Sequence, residues 1–277
     1  MKRRLIFLDI DGTLTPPGSN APPASALRAI REARGRGHRV FLCTGRNRAM
    51  LAPLLTYGFD GAVASAGGYV FCGETLLFDC PMSEGQRDRA LRLFGEQGVF
   101  RTLETRDAAF GDRGAAEFLG RVSGGDSELV RWRRALEQDL NIRPMEEYGG
   151  QPVYKIVFLC ERLEQLLPAR RELEGEFRFA VQEEAGSACL NGEIINRRFD
   201  KGSGVRRVAA ALGAELADTV GFGDNENDRE MLLTVGTSVC MGNGSPSLQT
   251  LSSLVCPSVE EDGLAWAFRE LGLTQTE

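Results

Sequence analysis

Short apolar runs alternate along this chain with segments whose apolar residues recur at helical spacing, and that alternation restricts the possible folds more than any other feature. Leu5 to Leu8 reads as a strand, a helix follows around Ala24 to Arg34, a second strand covers Val40 to Cys43, and a second helix is expected around Arg46 to Leu55. Asp60 to Ala64 reads as a third strand. Strands separated by helices form parallel sheets, because a parallel pair needs a crossover long enough to hold a helix. After a hairpin pattern at Tyr69 to Phe71 and Leu76 to Phe78, joined through Gly73, the character of the chain changes. Helical patterns at Gln86 to Phe94, Leu129 to Asp139 and Arg162 to Leu173 then mix with strand patterns at Val153 to Cys160 and Phe177 to Val181. The alternation resumes with a helix at Gly204 to Leu212, a strand at Thr219 to Phe222, a helix at Asn227 to Val235, and the amphipathic stretch Leu264 to Leu271. The expected class is α/β: a doubly wound parallel-sheet core from residues 1–81 and 191–277, with an α/β cap domain, 82–190, inserted between its halves.

Composition narrows the partners. A net charge of -6 disfavours a broad nucleic-acid or acidic-membrane surface, and no apolar segment reaches membrane length. The basic start Met1-Lys2-Arg3-Arg4 precedes an apolar stretch that breaks at Asp9, too early for a secretory signal. A soluble cytoplasmic protein acting on a small molecule is expected; no sequence pattern sets its oligomeric state. The seven cysteines form no Cys-x-x-Cys pair and mostly lie in apolar runs, where cysteine packs as a small hydrophobe. His38, the only histidine, reads as a surface turn residue in Gly35-Arg36-Gly37-His38. A histidine-based triad is therefore disfavoured, and the His-Glu-x-x-His zinc motif, which needs two histidines, is excluded.

In open parallel sheets ligands sit at the carboxyl ends of the strands, so the polar residues that terminate these strands matter most. The first strand ends in Asp9-Ile10-Asp11-Gly12-Thr13, the second in Thr44-Gly45-Arg46, and a late one in Gly223-Asp224-Asn225-Glu226-Asn227-Asp228. Side chains alternate along a strand, so Asp9 and Asp11 point the same way. Two carboxylates in one small site need a neutralising cation, or one of them keeps its proton. Both outcomes suit phosphoryl transfer.

With these motifs the chain resembles the haloacid dehalogenase superfamily, and within it the Cof-like phosphatases that carry an α/β cap on a Rossmann-like core. The resemblance spans nearly the whole chain through Asp9-Ile10-Asp11-Gly12-Thr13-Leu14, Thr44-Gly45-Arg46, Lys201-Gly202 preceded by Glu193-Ile194, and Gly221 to Asp228. It implies a Mg2+-dependent phosphatase of small phosphorylated metabolites. By that analogy Asp9 is the nucleophile that becomes an aspartyl-phosphate, and Asp11 protonates the leaving group and later deprotonates water. Thr44 and Lys201 would hold the phosphoryl group, with Gly45 and Gly67 offering close backbone approach. Metal ligands would come from Asp9, the Asp11 carbonyl and Asp224, with Asn227 and Asp228 binding directly or orienting metal waters. Arg46 is read as a solvated first-turn residue or a structural ion partner.

Two departures stand out. Relatives often have Asn-Gly after the third strand, where this chain has Ser65-Ala66-Gly67-Gly68, and Asn196 and Arg198 replace a usual Pro and Gly before Lys201. Two other functions fit parts of the pattern: a hexose-phosphate mutase sharing the aspartyl-phosphate, and a receiver-like phosphoacceptor module without turnover. The insertion and the second acid at Asp11 disfavour the module. Among cap residues, Tyr154, Lys155, Arg178 and Glu183 could reach a leaving group, but Tyr and Lys in strands are more often packing and surface residues, so none is assigned that role.

Overall fold

The computed structural model describes residues 3–17, 19–115, 117–118, 142–182 and 189–275. The chain divides into two compact units: Met1–Arg46, Leu51–Asp79 and Phe199–Glu277 make the first, and Asn47–Met50 with Cys80–Arg198 make the second. Strands are numbered in chain order across both.

The first unit holds a sheet of β1 (Leu5–Leu8), β2 (Arg39–Cys43), β3 (Gly61–Ala64), β4 (Tyr69–Cys72), β5 (Thr75–Asp79), β12 (Thr219–Gly223), β13 (Thr237–Cys240) and β14 (Leu254–Val255). Their order is β14-β13-β12-β1-β2-β3-β4-β5, parallel from β14 to β3, with the hairpin β4–β5 added antiparallel at one edge. β1 lies at the centre because all four of its residues are apolar, so it can be buried on both faces. Ile6 and Leu8 pack with the helices Ala24–Gly35 and Gly263–Glu270, while Leu5 and Phe7 join Phe41, Val205 and Val208 on the opposite face. The first three strands match their sequence assignments within a residue or so.

The helix Lys201–Ala211 starts sharply. Asp200 is its N-cap: the Ser203 amide donates to the Asp200 carboxylate, and the Asp200 amide donates to Ser203 Oγ. This reciprocal pair satisfies two amides that a helix start otherwise leaves open. The helix then packs closely, since a Cβ on Gly204 would lie 2.3 Å from Val63 Cγ1.

The second unit holds β6 (Phe100–Thr105), β7 (Ala109–Gly111), β8 (Ile142–Pro144), β9 (Val153–Cys160), β10 (Phe177–Gln182) and β11 (Leu190–Asn196), ordered β10-β11-β9-β6-β7-β8. Ile156, Phe158 and Cys160 of β9 pack with residues of the helices Glu84–Glu96 and Leu167–Leu173. On its other face Lys155 stands opposite Glu104 in register and pairs with it at 3.3 Å and with Glu193 at 2.7 Å. Lys155 is buried, so the surface position allowed by the sequence does not hold.

Several expectations need correction. Glu193 and Ile194 belong to β11, which pairs antiparallel with β9, so the second unit extends past residue 190 to Arg198. The helix expected from Arg46 is a short one, Ala52–Leu55, preceded by a 3-10 turn, because Pro53 suits only a first helical turn. The helix expected over Asn227 to Val235 contracts to Arg229–Leu232. His38 is buried; its Nδ1 accepts from the Arg4 amide at 3.0 Å, and burial, with Arg36 and Arg4 nearby, lowers its pKa. The helix expected at Leu129 to Asp139, and Glu183, lie outside the described residues. No helix among the described residues is long and apolar enough to cross a membrane.

Candidate active site

Every described residue of the candidate site lies in the first unit: most follow the carboxyl ends of β1, β2, β3 and β12, and Lys201 opens the helix Lys201–Ala211. β1 ends at Leu8, but the Asp9 amide still donates to the Phe222 carbonyl, which carries the sheet pattern one residue further. Ile10 then buries itself on the face of Ile6 and Leu8, so Asp9 turns to the face of the helix Lys201–Ala211. The chain turns there: the amides of Thr13, Leu14 and Thr15 all donate to the Ile10 carbonyl. Asp11 thus stands in a turn rather than on a strand, and its carboxylate accepts two bonds from Arg46, at 2.9 and 2.6 Å.

Lys201 is fixed by the first turn of its helix and buried to 2 % exposure. Its ammonium donates to Asp9 at 2.7 Å, to Asp228 at 2.5 Å and, over a longer 3.4 Å, to Asn227 Oδ1. Asp228 is fully buried, and its other oxygen accepts the amides of Asp224 and Asn225, so it braces the loop after β12. Asp224 accepts from Thr13 Oγ1 at 2.9 Å. Glycine permits this convergence at Gly12, whose φ is +89°: a Cβ there would lie 2.3 Å from an Asp224 carboxylate oxygen.

Thr44 is buried directly after β2, where its hydroxyl accepts the Arg46 amide at 3.1 Å. Gly45 separates the two. The helix expected from Arg46 places no helix start beside Thr44, since the first helical turn after it begins at Ala49. Gly67, at φ +103°, lies against the Asp200 carbonyl, which a Cβ would approach to 2.2 Å. The glycine therefore seats β3 against the start of the Lys201 helix. Three positive φ values in succession, at Ser65, Ala66 and Gly67, mark a strained turn directly after β3.

Residue types alone did not single out Thr13, Asn243 or the contact role of Arg46. Asn243 Nδ2 donates to the Gly12 carbonyl and its Oδ1 accepts from Val259, tying the Asp11 turn to a distant loop. Arg46 is 6 % exposed, so of the two readings given to it the ion partner holds and the solvated residue does not.

Carboxylate oxygens of Asp9, Asp224 and Asp228 lie within 4.8 Å of one another, with Lys201 as the cation bonded to two of them. Burial and then Asp228 push Asp9 up to about 7 against the opposing pull of Lys201. Burial and then Asp9 push Asp224 up to about 8. Burial alone would lower Lys201, but Asp228 and Asp9 outweigh it and hold the ammonium well above its ordinary range. Three converging carboxylates beside one ammonium leave an excess of negative charge, and an all-oxygen donor set of this kind suits a hard divalent cation such as Mg2+.

A pH dependence follows. Unfolded carboxylates release protons near 3.8, whereas the folded protein without metal holds them at Asp9 and Asp224 to about 7 and about 8. Between those limits the folded state binds more protons, so these two groups make stability fall as pH rises. Cations compete with those protons, so the rise in melting temperature on adding Mg2+ should grow from about pH 6 to about pH 8.5. Thermal melts with Mg2+ and with EDTA check this; a rise independent of pH would contradict the arrangement.

Comparison with known proteins places this geometry. A family model described as haloacid dehalogenase-like hydrolase matches residues 6–268, and the chain belongs to that family of hydrolases, in its Cof-like branch. It is 28% identical over 277 residues to YkrA of Bacillus subtilis (strain 168), covering 99% of each chain. It is 24% identical over 279 residues to the pyridoxal phosphate phosphatase YbhA of Escherichia coli (strain K12), covering 96% of this chain and 97% of that one. A Geobacillus kaustophilus HTA426 crystal structure superposes with a TM-score of 0.81 at 25% identity, over 98% of this chain and all of the other.

Proposed function

We propose that the chain is a Mg2+-dependent phosphatase that hydrolyses small soluble phosphomonoesters through an aspartyl-phosphate on Asp9. The observation that carries this reading is Asp9 itself: a buried carboxylate at a strand end, bonded to Lys201 and converging with Asp224 and Asp228. A carboxylate so confined is costly unless it is paired, and three of them around one ammonium remain under-neutralised without a further cation. Family membership and the phosphatase named among the relatives support the same reading.

Asp9 attacks phosphorus, the ester oxygen departs with a proton from Asp11, and water activated by Asp11 then releases inorganic phosphate from Asp9. Lys201 orients Asp9 and offsets its charge, and its long bond to Asn227 is the one most readily exchanged for a phosphoryl oxygen. Thr44 contributes its hydroxyl hydrogen to the same group. Asp9, Asp224 and the Asp11 carbonyl would hold Mg2+, with Asp228 bracing the loop that carries Asp224 and with Asn227 and Asp228 available to bind the cation or orient its waters. The cation would supply charge neutralisation between the carboxylates and the phosphate dianion. The inserted second unit is the proposed selector of the leaving group.

A screen of phosphate release across sugar phosphates, nucleotides, phosphorylated cofactors and phosphoglycerate-type acids, each with Mg2+ and with EDTA, tests the proposal. Turnover of at least one compound, abolished by EDTA and restored by Mg2+, is expected. Activity that persists in EDTA, or no phosphate release from any compound, overturns it.

A further inference from the structure

Arg46 holds a position that the reaction above leaves unexplained. Its guanidinium donates from Nε to Asp11 Oδ2 at 2.9 Å and from Nη2 to Asp11 Oδ1 at 2.6 Å. The remaining donors reach Asn20 Oδ1 at 2.5 Å and the Ser19 carbonyl at 3.2 Å. Its backbone is fixed as well: the amide donates to Thr44 Oγ1, and the carbonyl accepts from the Ser65 amide at 2.9 Å. One buried residue therefore joins the ends of β2 and β3, the loop at residues 19–20, and the carboxylate of Asp11.

Such a fork fixes both the direction and the plane of a carboxylate, which a point charge such as lysine cannot do. The fork matters here because Asp11 lies in a turn beyond the sheet. The geometry points to Arg46 as the positioning residue for proton transfer by Asp11, an inference that rests on the phosphatase reading. In the first step a bond forms between Asp9 and phosphorus, the ester P–O bond breaks, and the leaving oxygen takes the Asp11 proton. In the second, the water oxygen bonds to phosphorus, a water proton passes to Asp11, and the bond from phosphorus to the Asp9 oxygen breaks. Asp11 accepts both guanidinium bonds as a carboxylate. When it carries the proton, that oxygen becomes a donor and the other keeps its bond to Arg46, so the group pivots without losing its aim.

The test compares wild type, Arg46→Ala and Arg46→Lys in single turnovers of p-nitrophenyl phosphate, whose leaving group needs little protonation, and of an alkyl phosphate that the wild type hydrolyses. Arg46→Ala should lose about 100-fold on the alkyl ester and less than about threefold on p-nitrophenol release, with KM nearly unchanged. Arg46→Lys should recover only a small part, and added guanidinium should restore Arg46→Ala on the alkyl ester. In an Asp11→Asn background, Arg46→Ala should cost less than about threefold more, because the group it aims is already disabled. Equal losses on both esters, no loss on either, or a full further loss in the Asp11→Asn background would each overturn the inference. If Arg46→Ala does not fold, Arg46→Lys and Arg46→Gln in the same double-mutant comparison decide it. A wild type that releases phosphate from neither ester overturns the phosphatase reading instead.

Discussion

Asp9→Asn should reduce phosphate release by at least about 10⁴-fold while leaving the melting temperature within a few degrees of wild type. Asparagine has nearly the shape of aspartate, and its amide oxygen can still accept from Lys201 Nζ, which lies 2.7 Å from Asp9 in the native protein. It cannot serve as the attacking carboxylate, so the covalent route closes. Stability should hold because the substitution removes one of three crowded carboxylates and with it part of the repulsion that raises Asp224. Phosphate release measured beside a thermal melt separates loss of chemistry from loss of fold. A variant within tenfold of wild type would remove Asp9 from the role of nucleophile.

Lys201→Met should do the opposite to stability. The ammonium is bonded to both Asp9 and Asp228, each buried, and methionine matches its length without its charge. Removing one side of a buried ion pair costs about 3–5 kcal/mol, because the carboxylates left behind must either bear unpaired charge or take up protons. The loss should be greatest above about pH 7, where Asp9 would otherwise ionise, and should shrink at low pH or with saturating Mg2+. Urea unfolding at two pH values measures it. A variant as stable as wild type at both pH values would mean that Lys201 does not neutralise the cluster.

The strand ends were readable because a carboxylate or Thr directly after a run such as Leu5 to Leu8 has little reason to be there except a site. The doubly wound core follows from the same periodicity, and its strands fall where the alternation puts them. Two kinds of feature were hidden. One is the identity of contacts between residues far apart in sequence: nothing local in Thr44-Gly45-Arg46 says that the arginine reaches Asp11, and a buried arginine looks like a surface one until its partner is placed. The same applies to Lys155, which reads as a surface lysine in a strand until Glu104 and Glu193 appear beside it. The other is the boundary of the second unit. Glu193 and Ile194 sit close to Lys201 along the chain, but strand pairing with β9 assigns them to the other sheet.

The bond from Lys201 to Asp9 spans 192 positions of sequence, and that from Thr13 to Asp224 spans 211. During synthesis the first strand and its two aspartates emerge long before the residues that crowd and neutralise them. Until the last third of the chain is made, Asp9 has neither Lys201 beside it nor Asp224 and Asp228 against it. Contacts of such long range form late and slowly, after the closure of a very long loop. The nascent chain therefore lacks this charge cluster: β12 must insert beside β1 to bring the carboxylates and the lysine together, and the repulsion among them arises only when most of the core is available to hold them together.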